Sequence, residues 1–186
     1  MSNVREQILQ TTCDLLEKQG YHGTGLNEIV KESGAPKGSL YYYFPGGKEQ
    51  ITAEAVLQSG QVTSERIRHG LATSSNASKA IPDFILLIAE NVERSAFAAG
   101  SPLTAVAMET ATTSERINLA CREAYGMLQT AFREKLLQSG FSASKAEELG
   151  TFITASIEGG IILSRVSHTA DPLRRVAKQL KVLLAP

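Results

Sequence analysis

The sequence predicts an all-α protein, and three observations carry that prediction. Apolar residues recur at intervals of three and four from one end of the chain to the other. Glycine, proline and short polar runs punctuate these periodic stretches at helix-like intervals. Nowhere does a stretch alternate apolar and polar residues persuasively, as a half-buried strand would. At 186 residues the chain suits one or two small domains with a substantial core.

In the first helix, from about Val4 to Lys18, Ile8, Leu9, Leu15 and Leu16 share a face, and Gly20 closes it. A shorter second helix follows through Leu26, Ile29 and Val30. Thr24 is placed to cap it, although Gly25 follows and Glu28 falls outside an ideal capping box. Gly34 ends that helix, and Pro36 introduces a third that reaches about Phe44. After Pro45-Gly46-Gly47 a fourth helix spans about Lys48 to His69. The polar segment 73–78 is the next loop, and further helices are expected near 80–98, 103–111, 114–139, 143–167 and 171–184. Gly100-Ser101-Pro102, Gly140 and Asp171-Pro172 separate them. The helix near 80–98 is apolar nearly all round, which predicts burial within a bundle.

Lys+Arg and Asp+Glu each count 19, so no broad basic surface is available to coat nucleic acid or membrane. The charged start, Met1-Ser2-Asn3-Val4-Arg5-Glu6, does not resemble a signal peptide. The densest apolar run, Ile81 to Ala89, contains Pro82 and Asp83 and is too short to cross a bilayer. The expected location is cytoplasmic, where Cys13 and Cys121 are read as free thiols.

The most informative stretch is Gly34-Ala35-Pro36-Lys37-Gly38-Ser39-Leu40-Tyr41-Tyr42-Tyr43-Phe44-Pro45-Gly46-Gly47-Lys48-Glu49. At about 100° per residue, four consecutive aromatic residues cannot share one helix face. Leu40, Phe44 and part of Tyr43 can turn toward the first two helices, leaving Tyr41, Tyr42 and Lys37 on other faces. A short helix anchored in this way after a helix–turn–helix fits the major groove of DNA. Lys37, Gly38 and Ser39 suit close approach to phosphates, and tyrosine hydroxyls can reach phosphate while their rings cover sugars or thymine methyls. Packing of a small three-helix core is the competing use of the tyrosines, and spacing alone leaves both open.

The run from Ile8 to Ile51 resembles the DNA-binding domain of the TetR family of bacterial transcriptional repressors. The resemblance rests on Ile8-Leu9, Gly20-Tyr21, Thr24, Ile29, Gly34, the segment Lys37 to Phe44, and Lys48-Glu49. It implies a homodimer whose recognition helices enter successive major grooves of a palindromic operator. The implied DNA-contacting residues are Thr24, Lys37, Gly38, Ser39, Tyr41, Tyr42, Tyr43 and Lys48. Gly25 stands where the family often has a second hydroxyl residue, and Tyr42 or Tyr43 where many members have histidine. Residues 1–50 carry five basic and six acidic side chains, a net charge of −1, which predicts a modest salt dependence of DNA binding.

The resemblance also implies a division into a reader, residues 1–47, and a ligand-binding and dimerisation bundle, residues 48–186, with helix 48–69 as connector. Gly46 and Gly47 are candidate hinge points. Candidate effector-lining residues are Phe84, Ile88, Phe97, Met108, Met127 and Phe152. Core packing competes for each of them. Ser156, Gly159, Gly160, Leu173, Val176 and Leu180 are candidate dimer contacts, with a helix kink or a cavity lining as the other uses of Gly159-Gly160. Glu109 and Glu158 stand beside apolar neighbours and are expected at the surface, with recognition of a cation or hydroxyl group as the other use of one of them.

The segment Gly100 to Thr110 and the Phe44-to-Glu49 junction are similar to the branch containing the lincomycin-resistance repressor and YxaF-type regulators. That likeness implies a small hydrophobic or aromatic inducer, flavonoid or antibiotic-like. His22, His69 and His168 lie in separate segments, and no phosphate loop, nucleophile elbow or HExxH pattern appears, so no enzyme, cofactor or metal is expected. A helical protein-interaction module without DNA-binding activity is the alternative function.

Overall fold

The computed structural model describes residues 4–98 and 102–185. The opening Met1-Ser2-Asn3 and the Gly100-Ser101 punctuation lie outside them. The described residues form α1 (Val4–Gly23), α2 (Leu26–Ser33), α3 (Lys37–Tyr43), α4 (Gly47–Leu71), α5 (Ala77–Arg94), α6 (Pro102–Thr110), α7 (Glu115–Gln138), α8 (Ala143–Ser167) and α9 (Asp171–Leu183). They make up two compact units, one from residues within 1–61 and 101–125, the other from residues within 62–100 and 126–186.

In the first unit, α1 buries Ile8, Leu9, Leu15 and Leu16 and packs against α2, α3 and α6. Ile29, Leu40, Phe44 and Ile51 complete this core with no exposed surface. Each such side chain removes enough apolar area from water to contribute about 1.5–3 kcal/mol. Gly20 bends α1 instead of ending it: at φ 72° it takes a conformation that side-chain-bearing residues rarely adopt, and helical structure resumes to Gly23. The first helix is therefore longer than its periodicity predicts. Leu103, Val106 and Thr110 of α6 are buried in the same unit, so a helix distant in sequence joins the first three.

The second unit is built on α5, α8 and α9, with the ends of α4 and α7. Helix α5 starts three residues earlier than expected because the Asn76 side chain accepts the Ser78 amide at 2.8 Å and caps it. It buries Ile81, Phe84, Ile85 and Val92 but exposes Leu86 and Leu87, so one face rather than the whole circumference is covered. Its entry loop is tied down by Lys135, whose ammonium donates to the Ser74 carbonyl, and by Ser139, which accepts the Ala77 amide at 3.0 Å. Arg174 of α9 reaches Glu93 of α5 at 2.7 Å.

Among the described helices, α8 has the length and hydropathy to cross a bilayer, a feature missed by attention to the run at 81–89. Its buried face, Leu149, Ile153, Ile157 and Gly160, packs within the unit, where α8 meets α9 and α5. Cys13 and Cys121 are free thiols, the first half-buried and the second buried.

Candidate nucleic-acid interface

Two short helices and the turn between them form the candidate surface. Helix α2 ends at Gly34, whose amide donates to the Lys31 carbonyl, and Pro36 redirects the chain into α3. Within α3, the 100° step separates the residues by role. Leu40 and Phe44 are fully buried, while Tyr41 is 49% and Tyr42 78% exposed. Tyr43 is half-buried, and its ring takes the Tyr42 ring edge-on at a centroid separation of 5.0 Å. Lys37 and Gly38 are exposed and Ser39 is half-buried. The tyrosine run therefore divides between packing and display.

Lys48 occupies the first turn of α4, with Nζ 4.3 Å from the centre of the Tyr21 ring. Partial burial lowers its pKa, and the nearby Glu109 carboxylate opposes that shift. The Tyr21 phenol moves upward, chiefly through desolvation and secondarily through Glu49. Thr24 faces inward at 1% exposure, and its hydroxyl donates to the Gly20 carbonyl at 2.7 Å. It does not cap α2: Gly25 holds the cap position without a side-chain hydrogen bond. The hydroxyl is engaged in the Gly20 bend.

A polar chain missed by the sequence reading holds the far end of α3. Arg5 on α1 pairs with Glu54 at 2.5 Å, and Glu54 accepts from Gln50 at 2.8 Å. Gln50 Oε1 accepts the Gly46 amide at 2.7 Å, while its Nε2 reaches toward the Tyr43 carbonyl at 3.5 Å. The Arg5 guanidinium also sits 5.5 Å from the Phe44 ring centre. The Gln50–Glu54 spacing was a local clue to this chain, but Arg5 is 49 residues from Glu54. Glu109, expected at the surface, is half-buried and accepts the His22 amide at 2.7 Å.

The candidate effector residues differ in their environments. Phe84 is packed edge-on with Phe132 at 6.3 Å and fills the space beside Gly70, where a Cβ would run into its ring. Ile88, Phe97 and Met127 are half-buried, and Phe97 meets His168 edge-on at 5.5 Å. Phe152 is exposed, and Met108, on α6 of the first unit, is 82% exposed.

The candidate dimer residues also separate by environment. Gly160, Leu173 and Leu180 are committed to α8–α9 packing: a Cβ on Gly160 would lie 2.8 Å from Leu173 Cδ2. Val176 is half-buried beside them. Ser156 and Gly159 are half-buried on another stripe of α8, which also carries the exposed Phe152, Ile162, Leu163 and Val166. Among the described residues, no group of three His, Cys, Asp or Glu side chains is arranged to hold a metal ion.

Comparison with known proteins agrees with this geometry. Residues 8–55 match the model of bacterial regulatory proteins of the tetR family, and residues 77–179 match the C-terminal domain of LmrA/YxaF-like transcriptional regulators. The chain is 42% identical over 180 residues to the HTH-type transcriptional regulator YxaF of Bacillus subtilis, covering 97% of this chain and 94% of that one. It is 41% identical to LmrA of the same organism, covering 97% and 96%. The fold matches the crystal structure of reduced Escherichia coli NemR at a TM-score of 0.83, with 20% identity and 98% of both chains covered. NemR is a transcriptional repressor by name, and a 42-residue stretch of it is 43% identical to this chain. These relatives are regulators of transcription, not enzymes. The chain belongs to the TetR family of DNA-binding transcriptional regulators, with a C-terminal domain of the LmrA/YxaF-like type.

Proposed function

We propose that the protein is a cytoplasmic repressor that binds a palindromic operator as a homodimer and is released by a small hydrophobic or aromatic effector. The carrying observation is the division of α3: Leu40 and Phe44 anchor it while Lys37, Tyr41 and Tyr42 remain displayed. The proposed groove and phosphate contacts are Lys37, Gly38, Ser39, Tyr41, Tyr42, Tyr43 and Lys48, with Thr24 supporting the bend before α2. Two copies of α3 would enter the major groove about 34–36 Å apart.

The α8 stripe supports a dimer. Phe152, Ser156, Gly159, Leu163 and Val166 fall three or four residues apart, with Ile162 beside them, and among the described residues no heavy atom beyond the helix's own backbone lies within 4 Å of a Cβ built on Gly159. Small residues between apolar ones allow a second helix to approach closely. Repression is supported by the relationship to NemR, a transcriptional repressor by name. Effector bound in the C-terminal domain would favour a dimer state with lower operator affinity, and operator would weaken effector binding reciprocally. Gly46 and Gly47 would absorb the movement at the start of α4.

The test is binding of the purified full chain to DNA flanking its own gene, with and without a panel of flavonoids and antibiotics. Saturable binding by a dimer, released by one class of compound, is expected. Specific binding that no compound releases would overturn the proposed effector class, and tighter binding with compound would reverse the sign of regulation.

A further inference from the structure

The bend at Gly20 creates a polar demand that another helix meets. In an uninterrupted α-helix the amide of His22 would donate to the carbonyl four residues back. With Gly20 at φ 72° and ψ −174°, that amide instead donates to Glu109 Oε2 at 2.7 Å. The other carboxylate oxygen, Glu109 Oε1, fills the space opened by the missing side chain of Gly20, where a Cβ would overlap it. The backbone angle requires glycine here, and a Cβ would push the carboxylate out of its seat. On the opposite side of the bend, the Gly20 carbonyl accepts the Thr24 hydroxyl at 2.7 Å. The next residue, Gly25, is the N-cap of α2.

We propose that Glu109 is a positioning residue for DNA binding: its carboxylate, carried by α6 and seated in the Gly20 hollow, sets the bend from which α2 and α3 leave α1. All the groups involved lie in one compact unit, where α6 packs along α1. Lys48 adds a second tie, since it lies over Tyr21 of the bend and feels the Glu109 charge. Displacement of α6 therefore removes the partner of the His22 amide and loosens the approach to the reader. Linkage requires the reverse as well, so bound DNA must hold Glu109 in its seat.

The sign of the effect separates this role from simple electrostatics. Removing a carboxylate from a DNA-binding unit reduces repulsion and by itself strengthens binding. Loss of affinity in Glu109→Ala would run against that trend.

The experiment uses the full chain and the palindrome recovered from its own flanking DNA, with affinity read by fluorescence anisotropy at fixed salt. Glu109→Ala is expected to weaken binding roughly tenfold, as loss of a hydrogen bond to a charged group does. Glu109→Gln keeps an acceptor oxygen and is expected to stay within about threefold of wild type. Hydrogen exchange at the His22 amide should accelerate in Glu109→Ala and slow in the wild type when DNA binds. A merely structural contact would lower the thermal midpoint without the glutamine rescue of affinity or the DNA-dependent protection.

Unchanged or tighter binding by Glu109→Ala overturns the role, as does unchanged exchange at His22. Should Glu109→Ala not fold, Glu109→Asp replaces it; the shorter side chain must show the same loss of affinity, and wild-type affinity would refute the role. Absence of specific DNA binding by the wild-type protein would overturn operator recognition itself, and this role with it.

Discussion

Replacing Tyr42 and replacing Phe44 should differ sharply in their effect on stability, although the two residues are separated by a single position. The Phe44 ring is fully buried beneath the Arg5 guanidinium and joins Leu40 and Ile29 in the core. Truncation to alanine removes its transfer free energy and leaves a cavity, at a cost of about 3–5 kcal/mol. For a protein of this size, each kcal/mol lowers the thermal midpoint by about 2–4 °C, so Phe44→Ala should melt roughly 6–20 °C early. Tyr42 is 78% exposed and keeps one packing contact of note, its edge-on approach to Tyr43. Removing that approach at an exposed site costs about 1 kcal/mol or less, a shift of at most about 4 °C. The DNA assay exposes a cost of the Tyr42 change that melting does not record. A groove contact is worth about 1–3 kcal/mol, so Tyr42→Ala should weaken operator binding by about 5–150-fold while its melting curve hardly moves. The assays are differential scanning fluorimetry and an operator titration on the same preparations. Equal melting losses for the two variants, or wild-type affinity in Tyr42→Ala, would refute the division of α3 into anchor and display.

Lys37→Ala should leave the melting temperature within about 1 °C of wild type and reduce the slope of log K against log salt by about 0.9 for each phosphate no longer neutralised. Desolvation raises the Cys13 thiol from its ordinary 9.0 to about 12 and the Cys121 thiol to about 11, so neither should react with iodoacetamide at pH 8 until the protein unfolds. Because these pKa values are raised by folding, their stabilising effect is complete below pH 9 and is lost as pH rises toward 11–12; alkaline melts should record that decline. Lys135→Met keeps the aliphatic stem but leaves the Ser74 carbonyl without its charged donor, and should cost about 1.5–3 kcal/mol in urea denaturation. Leu163→Arg, at an exposed position of the α8 stripe, should shift sedimentation from dimer to monomer while the circular dichroism spectrum stays helical.

Much of the fold was legible because its breaks are chemical. Gly34, Pro36, Gly140 and Asp171-Pro172 mark helix ends, and the observed boundaries of α6 to α9 fall within a residue or two of expectation. Gly20 misled because a positive-φ glycine can bend a helix as well as close it, and the capping power of Asn76 was absorbed into a loop. Leu86 and Leu87 show that apolar composition does not locate a face without its neighbours. In the candidate interface, Leu40 and Phe44 separated from Tyr41 and Tyr42 by angular arithmetic alone. The supports of that interface were illegible for a physical reason. His22 and Glu109 are 87 residues apart, and a backbone amide accepted by a carboxylate has no periodic signature. Thr24 announced a cap, but its hydroxyl had a nearer acceptor in Gly20.

The return of α6 to the helices of the reader has a consequence for modularity. The first compact unit is discontinuous in sequence, made of residues within 1–61 and 101–125. A fragment cut after residue 61 would lack Leu103, Val106 and Glu109, exposing the part of α1 that α6 covers and freeing the His22 amide. Exchanging C-terminal halves between relatives at the start of α4 would carry a foreign α6 against this α1. A chimera that respects the fold must transplant α6 and the first part of α7 together with the first four helices, because the reader is inherited in two pieces.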